Sequence, residues 1–324
     1  ITMILTKTPF RISFVGGGSD HFNLSSQIPG RVICTTINKY IYVAVNKKHD
    51  DKVRLSYSIT ENVNTVRQLD HLIIRKTLEY FKINKGIEIV TIADIPSSGS
   101  GLGSSSALTV GLTKALRKLK KEKISKKKLS QEASNIEINK CNKPIGMQDH
   151  YAAAYGGFNS ILFKNNKTVT VNKVKISHSR LQNFKRNLIM FYSGINRRAD
   201  NILGKIKKEK KENIYYEKLS KLAKNFEYEV IKGDLLNLGH ILNENWMLKK
   251  NLHKTVSNLN LNEIYDDAIS AGAIGGKLLG AGGGGYFLFF VKPEKQKNVK
   301  KKLSKFQCID FDFSNEGSSI ITAV

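Results

Sequence analysis

The chain predicts two domains that mix strands and helices, and three observations predict them. Its 324 residues are 40% apolar, enough to bury a substantial core. Runs rich in Ile, Val, Thr and aromatic residues alternate with segments of helical period from end to end. A change of composition near Ser177 to Arg180 sets the boundary, giving an N-terminal domain over 1–178 and a C-terminal domain over 179–324.

In chain order, Pro9 to Val15 alternates apolar positions and reads as a strand ending in Gly16-Gly17-Gly18-Ser19-Asp20. Those glycines let a ligand lie against the backbone, and Asp20 can accept hydrogen bonds from sugar hydroxyls; the same residues also fit a tight turn with Asp20 as a helix N-cap. Val32 to Val45 reads as further strand, Leu69 to Phe81 as helix and Gly86 to Ile95 as strand. That strand delivers the chain into Pro96-Ser97-Ser98-Gly99-Ser100-Gly101-Leu102-Gly103-Ser104-Ser105-Ser106-Ala107, which opens a helix reaching about Leu119. Gly99, Gly101 and Gly103 can take positive φ and bring backbone N–H groups against an anion, while the helix turns its positive end to the same charge. No Gly-Lys-Ser/Thr follows, so this is not a Walker loop, and the glycine spacing is not that of a dinucleotide fold. Alone, the segment is also compatible with a Gly/Ser linker.

Leu129 to Asn139 is helical in period and contains Glu137; Pro144 to Asp149 then turns into Tyr151 to Gly157. Two carboxylates flanking one bend near a phosphate loop suit a metal ligand and a general base, and equally suit surface acids or caps. Phe158 to Phe163 and Thr168 to Val174 form a hairpin around Asn165-Asn166. The strand Asn187 to Tyr192 leads through Gly194 to Arg197 and Arg198, guanidinium groups able to grip phosphate at a strand-to-helix turn, though isolated arginines more often face solvent. Helices follow over Leu219 to Ile231, Leu235 to Leu248 and Leu261 to Ala271, with Trp246 expected in the core. The run Gly275 to Gly285 before the strand Tyr286 to Val291 is costly in conformational entropy unless the backbone passes very close to something. A Lys-rich helix and the strands Cys308 to Phe313 and Ser318 to Val324 end the chain.

Composition narrows the function classes. Cys34, Cys141 and Cys308 show no metal-ligand spacing and fit a reducing compartment. Lys7 and Arg11 interrupt the first apolar stretch, which speaks against a secretory leader, and Lys277 and glycines break up the most apolar late stretch, so a cytoplasmic protein without a membrane span is expected. The net charge of +26 invites a polyanion reading. Arginines, however, end at Arg198, and the lysines of 118–128, 205–211 and 292–302 lack interleaved aromatic residues, so they read as solvated faces rather than a nucleic-acid groove.

Three glycine-rich segments in this order, with Glu137 and Asp149 between the second and third, resemble the GHMP kinase superfamily. Pro9 to Asp20 looks like its first motif, Pro96 to Ala107 its second and Lys277 to Gly285 its third, so the resemblance covers almost the whole chain. The wording Arg11 to Asp20, with Gln148 to Gly157, looks most like the D-glycero-D-manno-heptose 7-phosphate kinase group. Galactokinases place Glu-His-Thr-Asp where this chain has Gly17-Gly18-Ser19-Asp20, which counts against galactose.

The resemblance implies an α+β fold, with an N-terminal domain like domain two of ribosomal protein S5 and a ferredoxin-like C-terminal domain. It implies ATP as co-substrate, cradled by Pro96 to Ser105, and Mg²⁺ held by Ser105 and Glu137. Asp149 would take the proton of an anomeric hydroxyl or orient it, with Arg11 close enough to keep it charged and to steady the transferred group. Gly17, Gly18, Ser19, Asp20, Gly194, Gly282 and Gly283 would meet the sugar, and Arg197 and Arg198 its distal phosphate. The expected partners are ATP and a sugar phosphate, with neither nucleic acid nor membrane, and a homodimer is left open. The alternatives are another anomeric sugar kinase, such as one for L-fucose, or a non-catalytic sugar- or polyanion-binding protein.

Overall fold

The computed structural model describes residues 3–20, 29–96, 99–164, 166, 168–196 and 212–323. Strands β1 (Met3–Val15) and β2 (Gly30–Lys47) pair antiparallel along most of their length, from Met3 opposite Asn46 to Val15 opposite Ile33. β2 is long enough to serve two neighbours. Its first residues pair with β6 (Asn159–Phe163), which hairpins to β7 (Val169–Lys173), and its last with β5 (Ile87–Ala93). Two short strands, β3 (Val53–Ser56) and β4 (Thr60–Val63), extend the sheet beyond β5. They escape prediction because each is four residues long and only partly buried.

Helix α1 (Leu72–Tyr80) precedes β5; α2 (Ser104–Leu119) follows the glycine–serine loop and packs across β1 and β2. Gly111 lets α2 lie close, since a Cβ there would stand 2.8 Å from Thr8 Oγ1. α3 (Lys126–Asn135) runs into one turn of π-helix over Ile136–Lys140, and α4 (Gln148–Tyr155) starts where the sequence suggested an irregular bend. An unpredicted short helix, α5 (His178–Arg186), marks the expected boundary.

Strand β8 (Leu188–Tyr192) begins the second sheet, and helices α6 (Glu212–Ile231), α7 (Leu235–Lys250) and α8 (Leu259–Ser270) follow. Then come β9 (Gly275–Leu278), β10 (Tyr286–Phe290), α9 (Pro293–Lys302) and β11 (Cys308–Ile309). The sheet is antiparallel in the order β11-β8-β10-β9, the split βαβ arrangement of a ferredoxin-like domain. β10 is buried on both faces and joins two cores by its period of two. Phe287 and Phe289 pack with Trp246 and Tyr265, whereas Tyr286, Leu288 and Phe290 belong to the larger core under the first sheet. Trp246 is a core residue, as expected.

The last strands return to the first sheet. β12 (Phe313–Ser314) pairs with β2 and β13 (Ser319–Ala323) with β1, so the chain's end completes the first sheet rather than the second. Pairing β13 on β1 covers an edge that would otherwise stay open. The lysines of 120–128 and 293–302 are mostly exposed, and no helix among the described residues is long and apolar enough to cross a membrane.

Candidate active site

The end of β1, the glycine–serine loop, the turn into α4 and the last turn of α7 meet around one cavity of about 1100 Å³. Arg11 sits where the β1–β2 register slips, and its backbone N–H donates to the Leu102 carbonyl at 3.0 Å. Its guanidinium donates through Nη1 to the Gly101 carbonyl at 2.6 Å, and through Nε and Nη2 to both carboxylate oxygens of Asp149, each at 2.7 Å. This planar fork fixes the Asp149 carboxylate relative to the loop. Arg11 is almost fully buried and Asp149 less so, with 23% of its side chain exposed towards the cavity.

Gly99, Gly101 and Gly103 all take positive φ, as the loop reading requires. At Gly101 the need is steric as well: a Cβ would lie 2.4 Å from the Leu279 carbonyl oxygen. Gly103 caps α2 in the left-handed conformation, leaving the N–H groups of the first turn without partners in the helix itself. Ser104, Ser105 and Ser106 open that turn on the cavity wall, joined by Pro96, Gly99, Ser100, Gly101 and Gly103. Leu102 instead turns its side chain into the core, and Ser97 and Ser98 lie outside the described residues.

Asp20 holds the turn together and also lines the cavity. It is buried, with Oδ2 accepting from the Gln148 N–H at 2.9 Å and Oδ1 from the Gly18 N–H at 3.0 Å. It thus caps α4, a helix far away in sequence, and locks the first glycine turn beside Asp149. Ser19 works inside the same turn, donating to the Gly16 carbonyl at 2.7 Å and accepting from the Arg31 N–H at 3.1 Å. Gly17, Gly18 and Asp20 line the cavity.

Glu137 lies in the π-helical turn, fully buried. Its Oε2 accepts from Ser106 and Thr109 hydroxyls at 3.2 Å and lies 2.9 Å from His150 Nε2; Oε1 faces the Lys143 ammonium at 3.1 Å. Burial pushes the carboxyl up, but the His150 hydrogen bond, the His150 and Lys143 charges and a Ser105 hydrogen bond outweigh it and hold the group down at about 2.

The family model for the GHMP kinase N-terminal domain matches residues 64–157, and that for the C-terminal domain residues 226–308. A D-glycero-alpha-D-manno-heptose 7-phosphate kinase of Campylobacter jejuni is 33% identical over 97% of both chains. The chain belongs to the GHMP kinases. The crystal structure of a D-glycero-D-manno-heptose 1-phosphate kinase from Bacteriodes thetaiotaomicron superposes with a TM-score of 0.80 at 25% identity, covering 99% of each chain. A Lactococcus lactis galactokinase complexed with galactose, at 18% identity, shares the fold with a TM-score of 0.76 over 98% of this chain and 95% of its own.

As a GHMP kinase the protein is a phosphotransferase acting on an alcohol group of a sugar, with ATP as phosphoryl donor, in a family that typically uses a divalent metal. Ser105 lines the cavity and offers a hydroxyl oxygen to such a metal, whereas Glu137 is fully buried behind it with Oε1 facing the Lys143 ammonium, which a metal there would have to displace. Hard cations take oxygen ligands of this kind.

The third glycine run meets protein, and this departs from the expectation that Gly282 and Gly283 face substrate. Gly280 abuts Gly101, where a Cβ would stand 2.5 Å from its Cα; Gly282 closes on Val256, and the Gly283 N–H donates to the Val256 carbonyl at 2.8 Å. Gly285 in turn lies against the Ser100 carbonyl. The close approach that glycine permits here joins the second sheet to the glycine–serine loop. Gly194 has positive φ and, among the described residues, nothing within 4 Å of where a Cβ would stand; Arg197 and Arg198 lie outside those residues.

Among the cavity residues that carry no sequence assignment are Ser13, Gln148, Lys249 and Lys277. Ser13 Oγ donates to Gln148 Oε1 at 2.9 Å, tying β1 to α4. Lys277 is buried and donates to the Ser13 and Phe14 carbonyls at 3.1 and 2.8 Å. Burial, then the charges of Lys249 and Arg11, pull its ammonium well below the usual lysine range. Lys249 donates to the Gly280 carbonyl, and burial together with the Arg11 charge brings it down to about 7. Lys277 is detectable as the one charge in the third run; Lys249 has no signal among so many lysines.

Proposed function

We propose that this GHMP kinase transfers the terminal phosphoryl group of ATP, as its Mg²⁺ complex, to the anomeric hydroxyl of D-glycero-D-manno-heptose 7-phosphate. The product would be the 1,7-bisphosphate, feeding nucleotide-activated heptose for surface polysaccharide. The observation that carries the reading is the Arg11–Asp149 fork, with its carboxylate facing the cavity walled by Gly99 to Ser106. Phosphoryl transfer asks mainly for alignment and charge neutralisation. Asp149 accepts the hydroxyl proton or orients that hydroxyl, Arg11 fixes it against the loop through the Gly101 carbonyl, and the N–H groups opening α2 receive phosphate oxygens. Glu137 and Ser105 would hold the metal, which neutralises charge on the phosphates when bound.

The sugar assignment rests on the glycine version of the first turn and on relatives whose names carry a D-glycero-D-manno-heptose phosphate, at position 7 in one and position 1 in the other. ADP release by the purified protein over a panel of heptose 7-phosphate, the unphosphorylated heptose, L-fucose and galactose tests it. The expected result is the highest kcat/KM on heptose 7-phosphate. Clear turnover on L-fucose with none on heptose 7-phosphate would overturn the assignment.

A further inference from the structure

One wall of the cavity carries positive charge that the chain itself leaves unanswered. Lys249 and Lys277 are both buried, at 8% and 4% exposure, and both line the cavity together with Arg11. Among the described residues neither lysine forms an ion pair, and their ammonium groups rest on backbone carbonyls alone, Gly280 for Lys249 and Ser13 and Phe14 for Lys277. The nearby carboxylates are already engaged: both oxygens of Asp149 by Arg11, and those of Asp20 by Gly18 and Gln148. Arg11 and the two lysines thus share this part of the cavity with two carboxylates, Asp149 and Asp20, that are already engaged, and burial together with mutual repulsion works against charge on the lysines. Buried charge of this kind is retained where a ligand of opposite sign completes it.

The position of Lys249 says where that ligand sits. Its ammonium lies on the carbonyl of Gly280, the glycine pressed against Gly101, whose own carbonyl receives Arg11 Nη1. Lys249, Gly280, Gly101 and Arg11 therefore form one continuous strip of cavity wall beside the phosphate loop. α7 holds this arrangement through a second residue one turn earlier, since Asn245 lines the same cavity and accepts from the Gly16 N–H at 3.4 Å.

We propose that Lys249 is a phosphate-binding residue, its ammonium taking an oxygen of a phosphoryl group at the junction of the glycine–serine loop and the third glycine run. Lys277 supports it by adding charge to the same wall while holding the end of β1. The phosphoryl group is either the terminal one of the nucleotide, which the strip beside Gly101 favours, or the one carried by the sugar. The inference rests on the kinase reading above, and deepens it by giving the phosphate a cation from α7.

Titration calorimetry on Lys249→Met and Lys249→Gln decides it, with ADP, a non-hydrolysable ATP analogue and heptose 7-phosphate as separate probes. If Lys249 meets the terminal phosphoryl, the analogue should bind roughly 10- to 100-fold more weakly while ADP changes less than about threefold, in line with loss of one charge-assisted hydrogen bond. If it meets the sugar's phosphate, heptose 7-phosphate weakens by that factor and both nucleotides do not. Thermal unfolding without ligand should show the Met variant no less stable than the parent, because a buried charge has gone. Unchanged binding of all three probes, or equal weakening of ADP and analogue with a lower melting temperature, would overturn the proposal and leave Lys249 as a clamp on Gly280. The nucleotide arms need no sugar, so they stand even where the heptose assignment fails.

Discussion

Replacing Arg11 separates its charge from its shape. The side chain makes three hydrogen bonds, two to Asp149 at 2.7 Å and one to the Gly101 carbonyl at 2.6 Å, from a nearly buried position. Arg11→Lys keeps the charge and loses the fork, so Asp149 can be held at one oxygen or the Gly101 carbonyl can be satisfied, but the planar geometry that does both is gone. Arg11→Met leaves both acceptors unmet. Breaking a buried pair costs about 3–5 kcal/mol, and with 23% of the Asp149 side chain exposed, water recovers part of that, leaving a destabilisation of roughly 2–3 kcal/mol for Met. Lysine should cost roughly 1 kcal/mol. The kinetic effect should be larger than the stability effect, since a misplaced proton acceptor forfeits about 10²- to 10⁴-fold in rate. Coupled ADP release should therefore show kcat of Arg11→Lys down by about 10²-fold, with ADP affinity nearly unchanged, while urea unfolding ranks parent, Lys and Met in that order. A lysine variant within threefold of the parent kcat would refute the idea that bidentate positioning of Asp149 matters.

Gly101→Ala should damage the loop beyond the backbone strain of its φ of 75°, because the new Cβ would sit 2.4 Å from the Leu279 carbonyl oxygen. A loss of about 2 kcal/mol or more is expected together with a raised KM for ATP, whereas Gly86→Ala, at φ 71° with nothing closer than 3.8 Å, should cost about 1 kcal/mol and leave the kinetics alone; similar outcomes for the two would sink the contact argument. Glu137 gives a pH test with a definite sign. Its folded-state carboxyl is held down at about 2 against an ordinary 4.5, so the unfolded chain binds the proton first, and its stabilisation is complete above pH 4.5 and lost as pH falls from there towards 2. That contribution is roughly 3 kcal/mol at most, and urea midpoints of Glu137→Gln should converge on those of the parent over this range; parallel curves would contradict it.

How much of this was written locally in the chain follows from what each feature depends on. β1, the loop and α2 are legible because period, glycine and serine act within a few residues, and the same holds for Trp246 as a core side chain. Strand β9 is not, since its Gly275 and Gly276 look like turn residues until α7 and β10 are in place: a Cβ on Gly275 would stand 2.0 Å from the Gly239 carbonyl oxygen, and one on Gly276 2.4 Å from the Phe289 ring. The return of β12 and β13 to the first sheet, and the capping of α4 by Asp20, are pairings over hundreds and over 128 residues of separation respectively. No local pattern encodes a partner so remote. Lys249 was hidden for another reason: on a chain with a net charge of +26, one more lysine on a helix carries no information until its burial is known.

The third glycine run links these facts. Asp149, Arg11 and the glycine–serine loop all belong to the first sheet and its helices, while Lys249 and Lys277 come from α7 and β9 beside the second. The two sets meet where Gly280 and Gly285 let the backbone of the second sheet touch Gly101 and Ser100, with the Tyr286 N–H donating to the Ser100 carbonyl at 3.2 Å. Glycine at that seam therefore sets the distance between the glycine–serine loop and the lysines across from it. A side chain there would push the two halves apart by the width of a Cβ contact, which is the scale on which hydrogen bonds to a phosphoryl oxygen are made or lost. The entropy that so many glycines forfeit on folding is offset by this fit, so the run is better understood as a joint that aligns two half-sites than as a surface for the sugar.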